Sequence, residues 1–263
     1  MTRIAIFNQK GGVGKTTTTL NLAGAFHRQQ HQVALLDFDP QAHLTSIYKH
    51  IGLDHHKHLF HFYQSDVPLA QLMQPVRAEM MLLSANAELM KVDSHFGRGP
   101  IILKKLNHGL NVLSETHPDT DIFIDCCPYV GVISLNAVFA SDLIIIPVSS
   151  DYFSINSAVK VEKALRALEP VLKRRIERRY LLTRADKRKK MTVEVEQEMR
   201  RLFGREVLVT KISENIALAE SPRIGKNVFD YDAGSPGARD YMALYFELQD
   251  VSKQLPEKAV AVA

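Results

Sequence analysis

Residues 10–17 read Lys-Gly-Gly-Val-Gly-Lys-Thr-Thr. Ahead of them runs Thr2-Arg3-Ile4-Ala5-Ile6-Phe7, a short apolar stretch that reads as a buried strand. Behind them, Thr16 to Gln29 carries Leu20, Leu22, Ala23 and Phe26 on one apolar side, which predicts a helix. Strand, glycine loop and helix are the context in which Gly-x-x-x-x-Gly-Lys-Thr, met here in outline, cradles phosphate. Backbone N–H groups of such a loop point inward at phosphate oxygens, helped by the helix N-terminus. Lys15 is then expected on the β- and γ-phosphates, and Thr16 offers its hydroxyl to Mg²⁺. The expected nucleotide-contacting set is Gly11, Gly12, Val13, Gly14, Lys15, Thr16 and Thr17, with Thr183 and Arg184 at a later strand end. Lys10 is a second lysine, five residues before Lys15. One lysine on the γ-phosphate makes a nucleotide site; two suggest that the second charge serves another site, on another molecule.

Outward from the loop, apolar strand candidates recur at 2–7, 32–37, 80–84, 121–126, 142–148, 179–183 and 207–212, with helical stretches between them. That alternation predicts an α/β fold: one domain, a doubly wound and mainly parallel sheet, helices on both faces. With 263 residues and 46% apolar content, one sizeable core is within reach. The domain is expected over 1–255, with 256–263 a flexible tail. No apolar run approaches the roughly 20 residues that span a membrane, and no secretory signal precedes the first strand. The two cysteines, Cys126 and Cys127, are adjacent and fit a reducing, cytoplasmic setting better than a disulfide framework.

Ligands of such sheets sit at the carboxyl ends of the strands. Asp37, Asp39 and Asp125 all fall there. Asp125 closes a strongly apolar strand, where a carboxylate is costly unless it serves a cation. It is expected to contact Mg²⁺ through water; the alternative is an aspartate capping the next turn. Asp37 and Asp39 flank Phe38 and face one way in a strand, so two like charges there need a counter-ion.

The loop with its extra lysine resembles that of the ParA/MinD ATPases, the deviant Walker A family, in its ParA/Soj-like branch. Val33-Ala34-Leu35-Leu36-Asp37-Phe38-Asp39-Pro40-Gln41 is similar to the family's second motif. Ile122-Phe123-Ile124-Asp125 with Pro128 and Gly131 resembles its Walker B segment, and Leu143-Ile144-Ile145-Ile146-Pro147-Val148 the strand that follows. Leu218-Ala219-Glu220-Ser221-Pro222 and Tyr231-Asp232 to Gly237-Ala238 resemble its C-terminal signatures. The resemblance implies a P-loop ATPase using ATP and Mg²⁺, slow without a partner, with Lys10, Lys15 and Asp39 as catalytic residues. Asp39 would position or activate the attacking water, and Asp37 would join Thr16 and Asp125 around the metal. Lys10 would reach the partner's nucleotide across a homodimer that ATP holds face to face, as an arginine finger does. Cys127 stands where the family usually has a proline, which leaves that loop less rigid.

Lys173 to Lys190 holds ten basic residues against Glu177 and Asp186, a charge of +8 in a chain of +4. Positive charge so concentrated suits phosphate contacts without base reading. Non-specific DNA binding is expected through Arg184, Lys187, Arg188, Lys189 and Lys190, extended by Arg200, Arg201 and Arg223. No recognition-helix module stands before the first strand. The resemblance then implies a nucleoid-associated cytoplasmic protein. It would position cargo, whether plasmid, chromosome origin or a compartment such as a carboxysome, and a ParB-like adaptor would stimulate hydrolysis. The rival readings are a MinD-like membrane-associated ATPase and a metabolic enzyme of the same superfamily. The first wants a basic amphipathic C-terminal helix, which residues 257–263 do not provide. The iron-protein branch of the second wants separated cysteines. His50, His55, His56, His58 and His61 cluster without tetrahedral metal spacing and read as a variable surface segment. Tyr241, Leu244, Tyr245 and Leu248 recur at helical spacing and read as core.

Overall fold

The computed structural model describes residues 1–97, 101–186 and 188–252. Among these residues eight strands form one sheet: β1 (Arg3–Ile6), β2 (Gln32–Phe38), β3 (Gln74–Arg77), β4 (Met80–Leu83), β5 (Thr120–Cys126), β6 (Leu143–Ser149), β7 (Arg178–Ala185) and β8 (Val207–Ser213). Their order is β3-β4-β2-β5-β1-β6-β7-β8. All seven expected strands are present and every pairing among them is parallel. The unforeseen strand is β3, an antiparallel edge strand with a register shift between Pro75 and Arg77. Its Gln-Pro-Val-Arg has neither an apolar run nor clean alternation, and a proline is tolerated there because the strand lies at the edge.

Side chains of the central strands alternate between two cores, as the pleat requires. Ala5, Ile122, Ile124, Ile144 and Ile146 face one; Ile4, Ile6, Phe123, Leu143 and Ile145 face the other. Helices Lys105–Thr116, Val132–Ala140, Tyr152–Leu172 and Lys190–Phe203 cover the first face. Helices Lys15–Arg28 and Pro236–Ser252 cover the second. Tyr241, Leu244, Tyr245 and Leu248 are buried in that second core, as their spacing predicted.

From β1 the chain crosses to β2 on one side, and β6, β7 and β8 are added on the other. The reversal leaves a crevice at the carboxyl end of β1, where sheets of this kind take their ligands. The glycine loop leaves β1 at that point. Residues 256–263, expected as a tail, lie outside the described residues.

Candidate functional site

The loop from Phe7 to Gly14 turns from β1 into helix Lys15–Arg28. Gly12 and Gly14 hold φ of 74° and 90°, a left-handed region strained for any side chain. A Cβ added at Gly11, Gly12 or Gly14 would meet nothing within 4 Å, so the loop's inner side faces open space. That space is a cavity of about 560 Å³ lined by Gly11, Gly12, Gly14, Lys15, Thr16 and Thr17. Asp39, Gln41, His43 and Pro128 close one side; Thr183, Arg184, Ile212 to Asn215, Leu218 and Ala219 close the other. The Thr183 hydroxyl donates to Val13 O at 2.8 Å, and the Arg184 guanidinium to Gly12 O at 3.4 Å. Arg184 itself takes a left-handed φ of 53° where β7 slips against β8. The sequence placed both residues at a strand end; the slip turns Arg184 toward the loop.

The carboxylates stand on neighbouring strands. Asp37 of β2 pairs in register with Asp125 of β5, and both are fully buried. The Thr16 hydroxyl donates to Asp125 Oδ2 at 2.6 Å, and Thr19 reaches Oδ1 at 3.4 Å. Asp37 accepts the Thr45 amide at 2.8 Å, the Thr45 hydroxyl at 2.7 Å and the Asp39 amide at 3.1 Å. Burial still pushes the Asp37 carboxyl up to about 6, against those hydrogen bonds. Burial and the neighbouring Asp37 push Asp125 up to about 8, against Thr16 and Lys15. Lys15 Nζ donates to Lys10 O at 3.1 Å, and burial lowers its pKa against the pull of Asp125 and Asp39. A threonine hydroxyl beside two buried carboxylates that resist ionisation is a donor set suited to a hard cation. Asp39, at the cavity mouth, uses one oxygen to accept the Gln41 amide at 2.9 Å.

Lys10 does not line this cavity. Its Nζ turns to Asp151 Oδ1 at 2.5 Å and Ser154 Oγ at 2.8 Å. Burial raises the Asp151 carboxyl, but hydrogen bonds from Lys10, Ser149 and Ser154 outweigh it and hold it at about 2. Asp151 also caps helix Tyr152–Leu172 by accepting the Ser154 amide. Sequence reasoning missed Asp151, Ser154, Thr45 and Thr19. An aspartate at the end of β6 directly before an apolar helical pattern was a readable cap signal for the first of these. Nothing in the sequence tied Thr45 to Asp37.

Cys127, in place of the usual proline, is buried and directs its thiol to Tyr129 O at 3.7 Å. Burial pushes that thiol up to about 12, so it stays protonated.

The basic stretch is not one patch. Strand β7 runs through it and separates its halves by roughly 23 Å. At the far end Arg178 is buried among Glu162, Glu169 and Glu206, and Arg175 also pairs with Glu206. At the cavity end Arg188, Lys189 and Lys190 are exposed and pair with Asp186, Glu214 and Glu194. Arg200 and Arg201 pair with Glu196 and Glu198 near the other end of helix Lys190–Phe203. Arg223 is exposed and lines a second hollow together with Thr16 and Thr17. Lys187 lies outside the described residues.

A family model described as an AAA domain matches residues 1–178. The chromosome-partitioning ATPase Soj of Thermus thermophilus is 32% identical, covering 94% of this chain and 94% of its own. The chain belongs to the ParA/Soj-like ATPases. Among solved structures, a variant of McdA from Cyanothece in complex with ATP superposes with a TM-score of 0.84 at 19% identity, covering 95% of this chain and 96% of that one. Cobyrinic acid a,c-diamide synthase of Mycobacterium smegmatis, with bound ADP and magnesium, superposes at 0.79 with 24% identity over 96% of each chain. The same fold therefore also carries a synthase, and fold alone does not select between the two kinds of activity.

Proposed function

We propose that this ParA/Soj-like chain is a Mg²⁺-dependent ATPase that closes into a face-to-face homodimer on ATP and then binds DNA without sequence preference. Through that cycle it positions cargo, and a ParB-like adaptor stimulates hydrolysis to end each round. Lys10 carries this reading. A lysine on the phosphate loop that turns away from its own cavity is available to a second molecule.

Within one subunit the loop amides and Lys15 hold the phosphates, and Thr183 and Arg184 brace the loop from β7. Asp39 orients the attacking water with the carboxylate oxygen that Gln41 leaves free. Thr16, Asp125 and, behind them, Asp37 fit Mg²⁺, which when bound would neutralise phosphate charge. Burial of these carboxylates has a thermal signature. Burial and mutual repulsion raise both carboxyls, so the folded state keeps protons on the Asp37–Asp125 pair well above the pH near 3.8 at which the unfolded chain releases them. The folded state binds more protons across that window, so stability falls as pH rises through it. The nucleotide-free protein is expected to melt on the order of 5 °C lower at pH 8 than at pH 6 without Mg²⁺. Added Mg²⁺ should restore part of the loss, and Asp125→Asn should remove the fall. A wild-type melting point flat from pH 6 to 8 would refute the burial argument.

DNA contact is assigned to the cavity-end cations Arg184, Arg188, Lys189 and Lys190. Their acidic partners are surface ion pairs, worth little and readily exchanged for phosphate. Charge reversal of Arg188, Lys189 and Lys190 together is expected to weaken ATP-dependent DNA binding and lower its salt slope by about one for each phosphate no longer neutralised. A salt titration with unchanged slope places the DNA interface elsewhere, with Arg200, Arg201 and Arg223 next in line. Binding of equal strength with ATP, with ADP and without nucleotide would defeat the cargo-positioning reading itself.

A further inference from the structure

Of the five histidines at positions 50–61, three are engaged within the fold. His50 Nδ1 lies 3.1 Å from Ile47 O, with its ring packed against Gly225. His58 caps helix Leu59–Gln64, its Nδ1 accepting the His61 amide at 3.2 Å. His61 Nδ1 lies 3.2 Å from His56 O. The rings of His55 and His56 have no hydrogen-bond partner among the described residues. Those two rings stand 4.2 Å apart. With the Asp54 carboxylate they bring three ligand atoms within 4.8 Å of one another.

We propose that Asp54, His55 and His56 form a binding site for a divalent transition-metal ion of the zinc class. Two imidazoles and a carboxylate suit zinc, nickel or copper and are a poor match for magnesium, which prefers oxygen donors in an octahedron. Tetrahedral zinc at about 2.0–2.1 Å from each ligand sets the ligand atoms roughly 3.3 Å apart. Closing from separations of up to 4.8 Å therefore needs rotamer shifts of the exposed His55 and His56 side chains toward the carboxylate. The Asp54 carboxylate spends Oδ1 on the His56 amide at 2.9 Å, which leaves Oδ2 for the ion.

The backbone beneath the trio is already fixed. One buried side chain, Gln74 of β3, clamps it from both ends. It accepts the Asp54 amide at 2.6 Å and donates to Asp54 O at 3.1 Å and Lys57 O at 2.9 Å. The Ser84 hydroxyl adds a bond to Lys57 O at 2.7 Å. A ligand-bearing turn held this way loses little freedom when an ion binds. Ser84 directly follows β4, so the site stands at the same end of the sheet as the phosphate cavity, out beyond β2. Three ligands leave a coordination position open to water or to a donor from another molecule.

The test is calorimetric titration of the untagged, nucleotide-free full chain with Zn²⁺ alone, in buffer holding millimolar Mg²⁺. Zinc is expected to bind this site once per chain. His55→Ala combined with His56→Ala should weaken that binding by more than ~100-fold, beyond the effect of losing an outer-shell partner. Asp125→Asn should leave it intact. These histidines are exposed, so an unchanged melting curve confirms that the double variant folds. Equal zinc binding by wild type and double variant overturns the proposal. So does absence of zinc binding, or loss in Asp125→Asn alone, which would put the zinc at the phosphate cavity.

Discussion

Asp39→Ala is expected to bind ATP as the wild type does and to hydrolyse it roughly 10²–10⁴-fold more slowly. The separation follows from what each aspartate touches. Asp37 takes three hydrogen bonds, from Thr45 and the Asp39 amide, and holds the turn after β2 in shape. Its removal would disturb the fold and say little about chemistry. Among the described residues the side chain of Asp39 accepts the Gln41 amide alone and lines the cavity mouth, so alanine there keeps the loop and Thr16 in place and leaves Lys15 the charge of Asp125 as its counterweight. Nucleotide should therefore enter and stay. Because hydrolysis is what would end the closed state, the variant is also expected to accumulate as an ATP-held dimer and to remain on DNA. Single-turnover hydrolysis, nucleotide retention on a desalting column, light scattering and co-sedimentation with DNA report the four effects separately. Wild-type turnover would remove Asp39 from the mechanism. Loss of nucleotide binding would make it a structural residue instead.

The difference between Asp37 and Asp39 also shows where the sequence stops being legible. The alternation of apolar runs and helical stretches placed seven strands, because strands buried on both faces leave a continuous apolar trace. Strand β3 left none, since an edge strand is half solvated and this one contains Pro75. The glycine loop was legible for a local reason: its function resides in backbone N–H groups and consecutive residues, so spacing along the chain is spacing in space. Partnerships across the sheet were not. Thr45 meets Asp37 and Asp151 meets Lys10 only because the fold brings separate turns to one sheet edge, and a single sequence carries no record of such pairs. Charge misled for the same reason. A run of ten basic residues implies a patch only if the chain stays on one surface. Here β7 carries half of it to the far end, where Arg178 serves as a buried counter-ion to glutamates.

Lys10→Ala is expected to lower adaptor-stimulated turnover by roughly 10³-fold, the low end for a cation supplied in trans, with ATP binding to the single chain preserved. Loss of activity alone does not show that Lys10 acts across subunits; mixing does. In a heterodimer of Lys10→Ala and Lys15→Ala, the first subunit's cavity keeps its own Lys15 and is faced by the partner's Lys10. One complete site re-forms from two inactive proteins, and turnover should reappear on mixing. No recovery, with dimers demonstrably formed, would return Lys10 to a role within its own chain. The ion pair to Asp151 sets a second expectation. To cross the interface Lys10 must first leave Asp151, whose carboxyl, held at about 2, stays ionised at any working pH. Asp151→Asn removes that charge yet keeps an oxygen to cap helix Tyr152–Leu172. Both partners are partly exposed, so the pair is weak, and its loss should favour ATP-dependent dimerisation by only about two- to fivefold. Asp151→Asn should leave the mixing result unchanged if Asp151 serves only to restrain Lys10 before the interface forms. A variant that instead dimerises less readily would mean that Asp151 works in the closed state, orienting Lys10 there rather than restraining it beforehand.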